Sequence, residues 1–229
     1  MKRKIFLLVL SSALVIHISA QLQPQIQVGI FAGPQFAKRN FSNEFGTKTG
    51  FVKSVNAGAT IFLPVAKDLF IHGTLGYSGK GVIVKDVMFT DNVGNSLGTG
   101  NVKYLVHYME LRSPFNHRSF LSPNTKFLAG LGPYFSYAVG GYEKISEGNI
   151  YANQKKKIEF GEDGHKRFDL GITAELGLVL NNWLSLGVST DCGLIKVIDI
   201  RGGTNRNNSF SFTLGYLFYR QYKHDTKNF

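Results

Sequence analysis

From about residue 25 onward the chain alternates apolar and polar side chains with a period of two, and no stretch carries the three-to-four spacing and caps of an amphipathic helix. The clearest case is Ser209 to Tyr219. One row, Phe210, Phe212, Leu214, Tyr216 and Phe218, is wholly apolar, and the other, Ser209, Ser211, Thr213 and Gly215, is small or polar. Phe168 to Leu180 repeats the pattern, with Phe168, Leu170, Ile172, Ala174, Leu176, Leu178 and Leu180 against Asp169, Gly171, Thr173, Glu175 and Gly177. A slip of one residue would exchange the two faces, so such strands have a strongly specified register. The same reading along the chain predicts eight strands, at 25–36, 51–62, 69–84, 101–112, 125–140, 166–180, 183–196 and 209–220. Most reach the nine to eleven residues that a tilted strand needs to cross a bilayer, and exceed the five or six usual in soluble sheets.

The predicted connections alternate in length, as in outer-membrane barrels with short periplasmic turns and long outer loops. Outer loops fall at 37–50, 85–100, 141–165 and 197–208, and inner turns at 63–68, 113–124 and 181–182. Asn181-Asn182 suits a tight hairpin because Asn tolerates positive φ. The fold class expected is all-β, a closed up-and-down eight-stranded antiparallel transmembrane β-barrel. Aromatic girdles at the two interfaces are part of that expectation. Phe62, Phe127, Trp183, Tyr216 and Phe218 fall at the periplasmic strand ends, and Phe51, Tyr77, Tyr137, Phe168 and Phe210 at the outer ends. A soluble ligand-binding barrel would need an apolar interior and a polar exterior. Here charge shares a face with Gly171, Gly177, Gly187 and Gly193, which suits a narrow polar lumen.

The N-terminus changes the picture by setting the compartment. Lys2, Arg3 and Lys4 precede a short apolar run broken by Ser11, Ser12 and His17, and Ser19-Ala20 offers a small-residue cleavage site. Residues 1–20 read as a signal peptide and 21–229 as one outer-membrane barrel domain. Cys192 is the single cysteine, so no intramolecular disulfide forms. The 26 Gly, 19 Phe and 10 Tyr fit closely packed strands. Of the formal charge of +11, three units lie in the leader. The remaining cations are spread through connections such as Lys38-Arg39, Lys155-Lys156-Lys157 and Lys166-Arg167, and do not form the single stacked face of a nucleic-acid binder. The partners expected are outer-membrane lipid and lipopolysaccharide headgroups, with secretion or envelope proteins at the loops, and not nucleic acid.

Seven ionisable residues fall on inward rows: His72, Lys80, Glu110, Arg112, Asp169, Glu175 and Asp191. Charges in a narrow barrel pair when water is scarce, so they are expected to form a lumen ion-pair network in which Glu175 and Glu110 meet Arg112 or Lys80. The competing reading makes Glu175 or Asp191 an acid/base partner of His72 in a lipid-modifying enzyme. No Gly-x-Ser-x-Gly elbow, His-Glu-x-x-His or clustered Cys/His set is present, so neither a catalytic residue, a metal nor a cofactor is predicted. Tyr104, Tyr108 and Tyr134 also face inward, and eight strands enclose a space that side chains fill, which weighs against a channel. Putting Glu110 inward turns His107 toward lipid, for which the sequence offers no reason.

The segment Tyr104-Leu-Val-His-Tyr-Met-Glu-Leu-Arg-Ser-Pro-Phe115 resembles the fourth-strand Tyr…Leu-Glu-Ile-Pro-type motif of the PorT-like outer-membrane β-barrel proteins of Bacteroidetes. Similar stretches follow in order at Phe127-Leu-Ala-Gly-Leu-Gly-Pro-Tyr134, Asp169-Leu-Gly-Ile-Thr-Ala-Glu-Leu-Gly177, Leu186-Gly-Val-Ser-Thr-Asp-Cys-Gly193 and Ser211-Phe-Thr-Leu-Gly-Tyr-Leu-Phe218. The resemblance implies an OmpA-like eight-stranded barrel, in a family often of unknown role whose founding member is tied to type IX secretion. Arg112 stands where the motif has Pro, with Pro114 two residues later, and a terminal aromatic is kept at Phe229. The leader reading is directly testable. Mass spectrometry of the membrane-extracted protein should find a mature N-terminus at or near Gln21, and an intact Met1 in the mature pool would contradict it.

Overall fold

The computed structural model describes residues 26–41, 48–91, 93–146, 154–161, 164–198 and 205–218; the leader and Phe229 lie outside them. Among the described residues there are eleven strands: β1 (Gln27–Phe41), β2 (Thr49–Gly50), β3 (Val52–Ala66), β4 (Leu69–Thr90), β5 (Ser96–Arg112), β6 (Phe115–Ser122), β7 (Thr125–Ser146), β8 (Lys155–Lys157), β9 (Phe168–Leu180), β10 (Leu184–Gly193) and β11 (Asn205–Phe218). All pair antiparallel. The path runs β4–β3–β1–β11–β10–β9–β7–β5, and β5 pairs back onto β4, so the sheet closes. β6 continues the stave begun by β5, pairing the same two neighbours, β4 and β7. The ring therefore has eight staves, and closure leaves no free edge in a solvent that cannot hydrogen-bond.

The stave β5–β6 corrects the reading of residues 113–124 as a turn. Ser113-Pro114 is an interruption inside one long stave, which resumes with Phe115 paired to Ile71 and Leu131. The ladder survives because backbone bonds bridge the break: Ser113 N–H donates to Pro133 O at 3.0 Å, and Pro114 O accepts from His72 N–H at 3.0 Å. Gly132 opposite makes room, since a Cβ there would come within 2.5 Å of Pro114 Cα. The true turn is Pro123-Asn124, as short as Lys67-Asp68 between β3 and β4. Between β9 and β10, Asn181 and Asn182 both adopt left-handed φ, 50° and 62°.

At the outer end β1, β4, β5, β7 and β11 run further than the sequence pattern implies, while β9 and β10 stop two to three residues short of it. Residues 85–100 are mostly paired hairpin, β4 and β5 staying in register to Thr90 and Ser96 through bulges. Asp91 organises the tip, its Oδ1 accepting from Val93 N–H at 2.9 Å and Asn95 N–H at 2.8 Å. β7 extends to Ser146 and takes β8 as a neighbour. β2, β4, β5, β7 and β8 thus form a sheet that projects beyond the ring as a wing.

Faces sort by parity. Outward rows are apolar, with Ile30, Leu75, Leu111, Leu131, Leu176, Phe212 and Leu214 exposed. Inward rows bury Gln35, Arg39, Asn56, Lys80, Glu110, Asp169, Thr173, Asp191 and Ser211. Outward aromatics cluster as Trp183, Tyr216 and Phe218 at the periplasmic end, and Tyr137 beside Phe168 higher up, with ring centroids 5.1 to 5.9 Å apart. Phe51 and Phe210 are exposed, and Phe127 and Tyr77 half-buried, on the same outer surface. Phe62 is the exception and is withdrawn from the girdle. It shares parity with Asn56 and Thr60, points inward, and with Phe70, Leu128, Val179 and Leu217 forms an apolar plug at the periplasmic end of the lumen. His107 does face outward, and Tyr77 satisfies it, the phenol oxygen lying 2.6 Å from Nδ1.

Candidate functional site

The lumen is where chemistry concentrates, and strand parity places His72, Lys80, Glu110, Arg112, Asp169, Glu175 and Asp191 inside it. They form two groups at different heights. In the upper group Lys80 (β4) contacts Glu110 Oε2 directly and lies 3.6 Å from both Asp169 Oδ2 and Asp191 Oδ2. Arg112 (β5) donates from Nε to Glu110 Oε1 at 2.8 Å, from Nη1 to Ser189 Oγ at 3.2 Å and from Nη2 to Asp191 Oδ2 at 3.0 Å. Ser136 and Ser209 hydroxyls donate to Glu110 and Asp191 at 2.7 Å each. The Lys80 ammonium also sits 3.8 Å from the Tyr134 ring centroid. Gly171 leaves space for that ring, since a Cβ there would lie 2.5 Å from Tyr134 Cε1.

The lower group corrects the pairing expected of Glu175. Its Oε1 accepts from His72 Nδ1 at 2.6 Å and from Asn116 Nδ2 at 2.7 Å, and neither Arg112 nor Lys80 reaches it within a salt-bridge distance. Tilt of the staves is the reason: it displaces residues of equal strand position to different heights, so Glu175 on β9 lies below the Arg112 level. Thr60 Oγ1 lies 2.6 Å from His72 Nε2, completing a Thr60–His72–Glu175 relay with the connectivity of nucleophile, base and carboxylate. The adjoining cavity measures about 60 Å³, between the apolar plug and the upper ions. That is room for water and not for an acyl chain. The relay orders Thr60, His72 and Glu175 beside that cavity.

Above the ions lies a layer the sequence reading missed. Arg39, assigned to a loop with Lys38, continues the inward row of β1 and is fully buried, its Nε donating to Asn207 Oδ1 at 3.0 Å. Asn207 Nδ2 in turn donates to Asp169 Oδ2 at 3.0 Å and Tyr108 OH at 3.3 Å. Unbroken parity from Gly29 through Gln35 to Arg39 was the available signal. Val106, Tyr108, Ala138 and Ile158, with Tyr104 and Phe160, cover this layer from outside, so β8 and its flanks act as a lid. His165 belongs to the lid, its ring 6.1 Å from Tyr104 and 6.4 Å from Phe160. Among the described residues no cluster of His, Cys, Asp or Glu has the arrangement of a metal site.

Residues 19–199 match the sequence profile of the outer membrane protein beta-barrel domain. The chain belongs to that family. It is an outer-membrane β-barrel. A search of curated proteins finds no match. Among solved structures it is similar to Ail, the attachment invasion locus protein of Yersinia pestis, at 14% identity and a TM-score of 0.43, covering 85% of this chain and 100% of that one. Neisserial surface protein A gives 10% identity and 0.43 over the same shares, and OprG of Pseudomonas aeruginosa 14% and 0.38 over 85% and 95%.

Two predictions follow from the lumen. Replacing Glu110 by Leu strands Lys80 and Arg112 beside one fewer carboxylate and should cost about 3–5 kcal/mol of unfolding free energy, read by urea titration in detergent or lipid. Glu175→Leu removes only the acceptor of His72 and Asn116 and should cost about 1–3 kcal/mol; equal losses would contradict the two-group arrangement. The lid supplies a pH test. Burial, and secondarily the Arg39 guanidinium, push His165 down to about 3. The folded lid therefore favours neutral His165, and its stability, complete above the ordinary histidine value near 6.5, declines as pH falls from there toward 3. Amide exchange at Ile158 and Phe160, corrected for intrinsic rates, should accelerate over that window in the parent and not in His165→Gln.

Proposed function

We propose that the chain is a non-conducting, non-enzymatic barrel that serves as a scaffold for an envelope assembly docked on its outer side. The observation that carries this reading is the filled lumen. The plug around Phe62, the relay at His72, the ion pairs of Lys80 and Arg112 and the lid over Arg39 lie in series along one axis. Eight staves leave no spare width around them. A channel would have to break buried ion pairs to open, and a lipid-modifying enzyme would need access that a 60 Å³ cavity does not give.

Binding then falls to segments held by the rigid ring. The β4–β5 hairpin is the best placed of these, since it projects past the barrel and exposes Met88 at 66% and Val93 at 86%. Apolar side chains at the tip of a two-stranded arm are suited to insertion between partner elements. The resemblance to PorT-like proteins supports a partner within a protein-secretion assembly. Planar-bilayer recordings on refolded protein should show no stable conductance steps, and shortening the hairpin between Val87 and Gly98 should abolish copurification of secretion or envelope components. Porin-sized steps would overturn the closed-barrel reading, and an unchanged partner set would remove the hairpin from it.

A further inference from the structure

The wing carries a charge pattern that the scaffold reading does not use. In the register of its strands Lys103 on β5 lies directly opposite Lys144 on β7, and Lys144 directly opposite Lys155 on β8. Three lysines thus share one row across three adjacent strands spaced about 4.8 Å apart. Like charges directly opposite one another destabilise a sheet. Among the described residues no salt bridge reaches any of the three. Glu143, the nearest acid in sequence, lies on the other face, between Tyr104 and Lys156. Lys157 adds a fourth cation on the same face, opposite Tyr142.

Height along the stave locates the row. On β5–β6 the outward side chains Phe115, Ser113, Leu111, Met109, His107 and Leu105 lie below Lys103 along the stave. Ten residues separate Phe115 from Leu105, which at about 3.3 Å per residue and a tilt of about 40° covers roughly 25 Å, the height of the apolar band of such barrels. Lys103 is therefore the first outward residue past the band, at headgroup level. Just beneath stands a polar aromatic group, His107 hydrogen-bonded to Tyr77, with Tyr142 at 5.9 Å from the His107 ring. The Lys155 ammonium rests 4.0 Å from the Tyr142 ring centroid, which holds it over this group.

We propose that the Lys103–Lys144–Lys155 row is a binding site for the phosphate group of a phosphorylated glycolipid headgroup in the outer leaflet, with Tyr142, His107 and Tyr77 against its sugar. A phosphate supplies the negative charge the row lacks, and its oxygens accept from several ammonium groups at once. The occupant is membrane-embedded, because the row faces sideways over lipid and stands one step above the apolar band. The inference does not depend on the lumen being closed or on any docked partner.

The test uses the full mature protein refolded in detergent, the parent beside a Lys103→Gln/Lys144→Gln/Lys155→Gln variant and a Lys38→Gln/Lys53→Gln control on other outward staves. Binding of purified bisphosphorylated lipid A is followed by native mass spectrometry and by thermal unfolding, with dephosphorylated lipid A, inorganic phosphate and heparin as separate arms. The row variant should bind lipid A at least tenfold more weakly, the control should keep parental affinity, and dephosphorylated lipid A should bind the parent as weakly as lipid A binds the row variant. Without lipid the row variant should melt higher than the parent, because repulsion is relieved, and lipid A should raise the melting temperature of the parent and the control but not of the row variant. Undiminished binding to the row variant, or equal binding of the dephosphorylated lipid, overturns the proposal. So does heparin or free phosphate protecting the parent as well as lipid A does, which would make the row a site for soluble polyanions.

Discussion

Everything in this molecule follows from the pairing of β1 with β11, which closes the sheet. In a bilayer a free strand edge has no water to bond to, so the ring must close or the fold is not viable. Closure with eight staves fixes the diameter, and the diameter dictates the interior: too narrow for bulk water, yet lined by the polar rows that the apolar exterior leaves over. Each buried charge then needs a counter-charge within a few ångströms. Lys80 and Arg112 meet Glu110 and Asp191, and Glu175 turns to His72, whereas Arg39 has no ion pair among the described residues and is connected to Asp169 only through Asn207. The ion pairs are the consequence of closure and not an independent source of the fold.

Parity was the legible part. Period-two alternation alone places the seven ionisable residues inside and His107 outside, because the face a side chain takes is a local property of the strand. Height was not legible. Which inward residues meet across the lumen depends on tilt and stagger, set by the whole ring, and so the partner of Glu175 was misread although its face was not. Phe62 was misread for the opposite reason: aromatic residues at strand ends were grouped by position, when the parity shared with Thr60 already placed it inside. The break at Ser113-Pro114 shows a third limit. A proline that ends a strand in isolation is carried through here because β4 and β7 bridge the gap, the latter with Gly132 opposite, and that support is visible only once the neighbours are known.

The outer ends of β1, β4, β5, β7 and β11 were underestimated, those of β9 and β10 slightly overestimated, and the β4–β5 hairpin shows the cause of the former. Gly94, Gly98 and Gly100 give residues 85–100 the composition of a loop, yet once β4 and β5 are paired in the barrel, extending the ladder costs little chain entropy per added residue pair. The wing is a by-product of register already paid for below it.

That asymmetry bears on where function can reside. Among the described residues the periplasmic turns are two or three residues long and the plug above them is apolar, so these elements offer little surface for recognition. The outer side carries the wing, whose two faces differ in kind. One continues the inward rows, and there Val106 and Tyr108 pack under Ile158 to seal the lumen. The other continues the lipid-facing rows but exchanges Leu105 for Lys103 as the strand leaves the apolar band. A single sheet thus closes the barrel with one surface and meets the membrane headgroups with the other. A change in one surface reaches the other only through the shared backbone of β5 and β7, so the seal and the charged face can be altered separately by substituting residues of opposite parity.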